Sequence, residues 1–159
     1  MEWEPYLEGL PRPDRKTLEA LQARMKIELP ERYVEDLEAH TGDIPARNVV
    51  KIGKGNKIFG PLLCVGADED DEYYSYSVER GLSAISEWYE DEEFELHTEF
   101  WPFGKDLSTG YYCFDNRPRP LARIVFINLE YDPDEEKAVV ALAQGYEEFL
   151  ESLISDQSL

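Results

Sequence analysis

Hydrophobic positions near the beginning of the chain recur with a helical period. Leu18, Leu21 and Met25 are separated by three and four residues, which places them on one face of a helix. Asp14 precedes this stripe and is a suitable N-cap, because its carboxylate can accept hydrogen bonds from the first free amides. Pro30 marks a break before the next element. A first helix is therefore predicted between Asp14 and Pro30.

A second amphipathic stripe is formed by Tyr33, Val34 and Leu37. It predicts a second helix with Pro30 in its first turn, where the amide would have no partner within the helix. Gly42 suits the C-terminal stop, since glycine readily adopts the positive φ that often ends a helix.

Two later stretches also have helical periodicity. The first covers residues 77–94 and the second covers residues 145–155, and each predicts a helix. Gly81 leaves the starting point of the first of them open. The apolar faces consist of Leu82, Ile85, Trp88 and Tyr89 in the first, and of Tyr146, Phe149, Leu150, Leu153 and Ile154 in the second.

Aromatic and β-branched residues between these helices predict strands. A hairpin is expected within residues 49–66, with its turn near Gly55-Asn56. The other strands are expected at residues 99–104, 110–115 and 123–130, with a short one at 137–142. The pattern predicts an α+β fold in which helices flank a central, mainly antiparallel sheet. We expect a single domain over residues 1–159, with a core of about 15–155.

Composition adds an uneven charge to this picture. The chain has 16 basic and 35 acidic side chains and a net charge of −19. Residues 1–60 hold 10 basic and 11 acidic side chains, whereas residues 61–159 hold 6 and 24. Such acidity disfavours binding to nucleic acid or anionic membranes and favours a cationic protein partner. A role in solubility alone is the alternative.

The sequence indicates a cytoplasmic protein. We find neither a basic, apolar leader nor a stretch long enough to cross a membrane. Cys64 and Cys113 stand within apolar runs, which predicts buried thiols in a reducing compartment, with a single disulfide as the alternative.

Catalytic and metal chemistry is disfavoured. His40 and His97 are far apart, and His40 is expected to be a favourable charge at a helix C-terminus. The acidic stretches 68–79 and 132–136 lack the glycine and the ligand spacing of a calcium loop. Carboxylate pairs among so many acids are uninformative without geometry. We therefore expect no enzyme activity, no metal and no cofactor.

A protein-binding surface is better supported, by residues 67–77, where acidic residues and tyrosines are interleaved. Tyrosine rings and carboxylates bind Arg and Lys through cation–π contacts and charge-assisted hydrogen bonds. A solvated loop is the alternative interpretation. The predicted partner-binding residues are Asp68, Asp70, Asp71, Glu72, Tyr73, Tyr74 and Tyr76, followed by Glu92 and Glu93 in a second acidic block.

Residues 100–115, FWPFGKDLSTGYYCFD, form the most distinctive motif. Asp106 and Gly110 are typical turn residues between two aromatic strands. Asp106 and Asp115 are also candidates to line a groove that meets a partner. The two strands carry four aromatic side chains that are expected to alternate between a core face and an open face, namely Trp101, Phe103, Tyr112 and Phe114.

Together with residues 29–42, 123–132 and 141–154, this motif resembles the SUKH superfamily (Smi1/Knr4-like). That superfamily consists of bacterial toxin-immunity proteins and also includes a fungal cell-wall regulator domain. Residues 43–77 match the family only loosely, so the identity of the partner is the least transferable property.

The resemblance implies a non-enzymatic immunity protein that binds and neutralises a cognate toxin. Many such toxins are nucleases with basic clefts, and the charge of −19 suggests a protein that fills such a cleft as a nucleic-acid mimic. The first alternative is a scaffold or regulatory module with an endogenous partner. The second alternative is an acidic hydrolase, which no motif in the sequence supports.

Overall fold

The computed structural model describes residues 1–89, 99–117 and 122–155. Within these ranges the chain forms helices at Arg15–Met25 (α1), Glu31–His40 (α2), Val78–Trp88 (α3) and Tyr146–Ser152 (α4). Its short strands are Trp3–Pro5 (β1), Asp43–Pro45 (β2), Val49–Ile52 (β3) and Gly55–Ile58 (β4). Its longer strands are Phe100–Lys105 (β5), Gly110–Asp115 (β6), Arg123–Asn128 (β7) and Val139–Ala143 (β8). The predicted α+β fold is confirmed.

The central sheet has the strand order β5-β6-β7-β8, and each neighbouring pair is antiparallel. Strands that are consecutive in the sequence are therefore neighbours in the sheet, an arrangement that short connections favour. The two remaining strand pairs are β1-β2 and β3-β4, both antiparallel. The β1-β2 pair was not predicted. The β3-β4 hairpin confirms the prediction, but its turn lies at residues 53–54 rather than near Gly55-Asn56.

The first two helices match their sequence signals closely. Asp14 is the N-cap of α1, and its Oδ1 accepts a hydrogen bond from the amide of Lys16 at 2.7 Å. Pro30 is the N-cap residue of α2 rather than a member of its first turn. Gly42 follows the end of α2 with φ +87°, as its predicted role in the stop requires.

The last helix is shorter than the predicted stretch. α4 ends at Ser152, and Leu153 adopts an extended conformation while remaining 1% exposed. Ile154 forms an antiparallel bridge with Val49, so the chain after the helix adds to the edge of β3. The apolar pattern predicted the burial of Leu153 correctly, whereas Ile154 is half-buried and pairs with a strand instead of continuing the helix.

An aromatic core fills one face of the central sheet. Tyr33 of α2 packs against Phe114 and Phe103 with ring centroids 5.0 and 5.9 Å apart, and its hydroxyl accepts a hydrogen bond from Trp101 Nε1 at 3.0 Å. Tyr146 of α4 packs on the same cluster. Edge-to-face pairs of this kind add to the stabilisation that burial provides.

The expected alternation of the aromatic residues between a core face and an open face is wrong. Trp101, Phe103, Tyr112 and Phe114 are each fully buried, since side chains two residues apart in a strand share a face. The opposite face is covered by α3, where Gly81 lies against Pro102 and Tyr111. A sheet covered on both sides contains continuous apolar strands, which is the pattern of β6.

Both cysteines are free and buried, so the predicted buried thiols are confirmed and the alternative disulfide is not formed. Burial raises the pKa of Cys64 to about 12 and raises the pKa of Cys113 well above its ordinary value. The thiolate is the reactive form of cysteine, so these residues act as small apolar side chains.

Candidate partner-binding surface

Residues 67–77, which we call the acidic-aromatic segment, connect the apolar run ending near Cys64 to α3. The end of the segment is fixed to that run by two backbone hydrogen bonds. The amide of Cys64 donates to the carbonyl of Tyr76 at 3.0 Å, and the amide of Val78 donates to the carbonyl of Cys64 at 2.8 Å. The backbone of the segment is therefore held at its C-terminal end by contacts to the buried interior.

Glu79, in the first turn of α3, fixes the other end of the segment. Its Oε2 accepts from the amide of Gly66 at 2.8 Å, and its Oε1 accepts from the amide of Ala67 at 3.4 Å. Burial raises the pKa of Glu79, and these two amides oppose that rise because they stabilise the ionised carboxylate. One side chain thus bridges the start of the segment to the start of the helix that follows it.

The interior of the segment is organised by Asp68 and Asp71. The amide of Asp68 donates to Oδ2 of Asp71 at 2.8 Å, and the amide of Asp71 donates to the carbonyl of Asp68 at 3.0 Å. A single 3₁₀ turn at Tyr74–Tyr76 follows. Partial desolvation and the nearby Asp71 carboxylate raise the pKa of Tyr73, so its phenol is neutral at physiological pH.

The predicted binding residues of the segment divide into two groups. Asp68, Asp70 and Glu72 are exposed, whereas Asp71 and the three tyrosines are half-buried. Lys105 lies over the ring of Tyr76, 5.2 Å from its centroid, so the face of this tyrosine already contacts a cation. Exposed carboxylates beside half-buried aromatic rings are a chemically suitable surface for Arg and Lys side chains.

Asp106 has a structural role. It is 3% exposed, its Oδ2 accepts from the hydroxyl of Ser108 at 2.5 Å, and its Oδ1 accepts from the amide of Ile58 at 3.4 Å. Lys57 Nζ approaches Oδ2 at 3.8 Å. These contacts confirm Asp106 as a turn residue and connect the β5-β6 turn to β4. The carboxylate borders a small depression of about 80 Å³, and its contact with a partner stays a prediction.

Asp115 is also held by hydrogen bonds within the fold. It is fully buried, and its carboxylate accepts hydrogen bonds from Arg117 Nε and Nη2 at 2.9 Å and from Arg123 Nε at 3.0 Å. Burial works against ionisation of Asp115, but the hydrogen bonds from the two arginines outweigh it and lower its pKa. Arg117 also lies 4.7 Å from the centroid of the Phe100 ring. The Asp115 side chain is therefore not exposed in this structure, and its contact with a partner stays a prediction.

The second acidic block and the possible metal ligands remain to be placed. Glu92, Glu93 and His97 lie outside the described residues. Among residues 1–89, 99–117 and 122–155, no group of three or more His, Cys, Asp or Glu side chains is placed to hold a metal ion. His40 ends α2, as predicted, and its Nδ1 lies 3.1 Å from Oδ2 of Asp43.

Sequence reasoning missed a second surface with acidic and aromatic residues. A cleft of about 570 Å³ lies between the end of α3 and the β7-β8 connection, where Trp88 Nε1 donates to the carbonyl of Tyr131 at 2.6 Å. Its lining includes the carboxylates of Glu87, Glu130, Asp132 and Asp134. The available signal was Tyr131 within an acidic run, a composition similar to that of the acidic-aromatic segment.

Comparisons with known proteins give one match to a family and one to a solved structure. The sequence model of the SMI1 / KNR4 family (SUKH-1) matches residues 12–152. A crystal structure of a protein from Pseudomonas syringae pv. tomato is similar over 76% of this chain and 73% of that chain, with 15% identity and a TM-score of 0.41. No protein with a curated description matches the sequence. No helix in the described part of the chain is long and apolar enough to cross a membrane.

Proposed function

The chain belongs to the SMI1 / KNR4 family (SUKH-1), and from this membership we propose that it is a non-enzymatic immunity protein that binds and neutralises a cognate protein toxin. Members of this family generally act through protein partners. The proposal treats residues 1–159 as one domain acting in the cytoplasm, without a cofactor, metal, nucleic acid or membrane as its partner.

The acidic-aromatic segment is the proposed contact surface, and its geometry is the observation that carries this assignment. Its two ends are fixed by Glu79 and by the backbone of Cys64, while the carboxylates of Asp70 and Glu72 are exposed and accept no hydrogen bond from the described part of the chain. A surface that is already ordered loses little conformational entropy on binding. Half-buried tyrosines provide anchors, and exposed carboxylates steer a cationic partner towards them.

The proposed toxin is a basic protein, and the class that we propose for it is a nuclease. The excess of acidic residues lies in residues 61–159, which contain the segment, the acidic cleft at Trp88 and the second acidic block. A nuclease needs basic side chains around its substrate phosphates, and a strongly acidic protein can occupy the same side chains. This supports a mode of inhibition in which the immunity protein blocks the access of nucleic acid.

The first test is isolation of the partner. The full chain is used to capture proteins from its native lysate at low and at high salt, and stoichiometric partners are identified by mass. We expect a basic, toxin-like domain that is retained less well at high salt, because opposite surface charges are screened. Recovery of an endogenous housekeeping protein would contradict the immunity function and support the alternative scaffold or regulatory function.

The second test examines the surface with a matched pair of double variants. Asp70→Asn/Glu72→Gln removes two negative charges from the segment, and Glu19→Gln/Glu35→Gln removes two exposed charges from α1 and α2. At low salt, the first variant is expected to lower the association rate with the captured toxin about tenfold, whereas the second leaves it nearly unchanged. Equal effects of both variants would show that net charge acts without this surface.

A further inference from the structure

A small cavity with basic residues adjoins the acidic-aromatic segment. It has a volume of about 250 Å³ and lies between the 3₁₀ turn, α3 and the β5-β6 turn. Its polar lining consists of Ser75, Arg80, Lys105, Ser108, Thr109 and Tyr111. Residues 61–159 contain only 6 basic side chains against 24 acidic ones, so two cations at one cavity depart from the surrounding charge pattern.

Lys105 is poorly compensated at this position. It is half-buried, and its Nζ lies 3.5 Å from the carbonyl oxygen of Ser75 and over the ring of Tyr76. Among the described residues no carboxylate forms an ion pair with it. Burial and the nearby charge of Arg80 both lower the pKa of Lys105.

Arg80 is also weakly paired within the described part of the chain. Its Nη1 lies 3.7 Å from Oε1 of Glu87, whose side chain is 73% exposed, so this pair is weak and screened by solvent. Arg117 and Arg123 are more strongly paired than Arg80, because they donate hydrogen bonds to the buried Asp115 at about 3 Å. A guanidinium and an ammonium contain only donors, so the cavity still needs acceptor groups.

We propose that this cavity is an oxyanion-binding site, in which Arg80 and Lys105 hold a phosphate or a carboxylate group between the 3₁₀ turn and the β5-β6 turn. The guanidinium can donate two parallel hydrogen bonds to two oxygens, and the ammonium provides a point charge beside them. The volume holds such a group together with water molecules. The site belongs to the free protein and does not depend on the proposed immunity function.

If Lys105 had a purely structural role, its replacement would lower the melting temperature, whereas a role in ligand binding predicts no such loss. The ammonium is partly desolvated and repelled by Arg80, so Lys105→Met is expected to leave the melting temperature unchanged or to raise it. A residue that is unfavourable for stability and necessary for binding is typical of a ligand site. The test therefore measures stability and binding in the same variants.

The experiment titrates the full-length protein at neutral pH with inorganic phosphate and, separately, with acetate, at constant ionic strength. Amide chemical shifts of Thr109 and Gly110, which line the cavity, report binding. The variants are Lys105→Met and Arg80→Gln, and their melting temperatures are measured alongside the titrations. The matched control is Lys51→Met, because Lys51 is also a strand lysine but is exposed on β3.

We expect saturable shifts in the native protein and in Lys51→Met, and at least about tenfold weaker binding in Lys105→Met and Arg80→Gln. Saturation with phosphate alone identifies a phosphate group as the ligand. Saturation with acetate as well shows that the site also accepts a carboxylate, such as an acidic side chain of a partner protein.

Two results would overturn the site. One is the absence of saturable shifts with both probes in the native protein. The other is equal binding in the native protein and in both cavity variants, since the oxyanion would then bind without Arg80 and Lys105. If Lys105→Met were to lose its folded spectrum, Arg80→Gln would decide alone. Neither result would affect the proposed toxin binding, which is measured with a different ligand.

Discussion

At the residue scale, the buried ion pairs of Asp115 offer the clearest link between structure and pH. Asp115→Asn removes the charge that two arginines share, and we expect a loss of about 2 kcal/mol in the free energy of unfolding at pH 7. The folded-state pKa of Asp115 lies below its unfolded value. Its stabilising effect is therefore complete above the unfolded pKa of about 3.9 and is lost as the pH falls through the folded-state pKa.

Urea unfolding at pH 7 and at pH 3 measures this effect. The difference between the native protein and Asp115→Asn should be smaller at pH 3. Asp132→Asn is a suitable control, because Asp132 is exposed and should cost little at either pH. A difference of equal size at both pH values would mean that the carboxylate acts through shape rather than through charge.

Gly110 tests the packing between β6 and β7. A Cβ atom at this position would lie 2.1 Å from Cζ of Phe126 and 3.1 Å from the carbonyl oxygen of Ile127. Gly110→Ala is expected to lower the free energy of unfolding by about 2 kcal/mol, since the buried ring has to move. Gly145→Ala has open space and serves as the control in the same denaturation experiment. Equal stability of the two variants would contradict the tight packing.

At the scale of elements, Glu79 determines how firmly the acidic-aromatic segment is held. Glu79→Ala removes the acceptor of the Gly66 and Ala67 amides, and we expect faster hydrogen exchange at both amides while the central sheet stays protected. The looser segment should also bind the toxin more weakly, because ordering it now costs entropy.

Amide exchange of the free protein and binding kinetics with the captured toxin measure these two effects. Glu87→Ala is the control, since Glu87 lies on the same helix with a 73% exposed side chain. Faster exchange without weaker binding would assign Glu79 a structural role and move the contact surface elsewhere.

At the scale of the whole molecule, the excess negative charge predicts a stability that depends on salt. Repulsion among carboxylates opposes the compact state, and raising NaCl from about 0.01 M to about 0.15 M shortens the screening length from about 30 Å to about 8 Å. We expect the melting temperature to rise by about 2–4 °C, which corresponds to ~1 kcal/mol for a chain of this size.

Thermal unfolding monitored by circular dichroism checks this expectation. Glu19→Gln/Glu35→Gln should reduce the salt dependence only slightly, because residues 1–60 are nearly neutral. A melting temperature that falls with salt would show that the exposed ion pairs, such as Arg15 with Glu38, outweigh the repulsion.

Local patterns predicted most of the fold. The helix at Leu18 and Met25 and the strands around Tyr112 and Phe126 were found at the predicted places, because residues close in sequence produce their periodicity. The turn at residues 53–54 was missed by two residues, since several glycines and Asn56 are all suitable for a tight turn.

The candidate site was predicted less completely. The acidic-aromatic segment was recognised from composition, and its contact with a partner stays a prediction. Asp115, at the end of an aromatic strand, was a candidate to line a groove, but its side chain is buried and hydrogen-bonded to Arg117 and Arg123. The pairing of Arg80 with Lys105 at one cavity joins a helix and a strand that are 25 residues apart in sequence.

The sequence by itself determined the α+β class, the family, the order of the elements and the uneven distribution of charge. These properties depend on local periodicity, motif order and composition, which need no knowledge of distant contacts. Only the tertiary structure decided the pairing of β1 with β2, the burial of both faces of the central sheet and the position of the basic cavity. Each of these depends on contacts between residues far apart in the chain, where many arrangements satisfy the same local pattern and packing selects one of them.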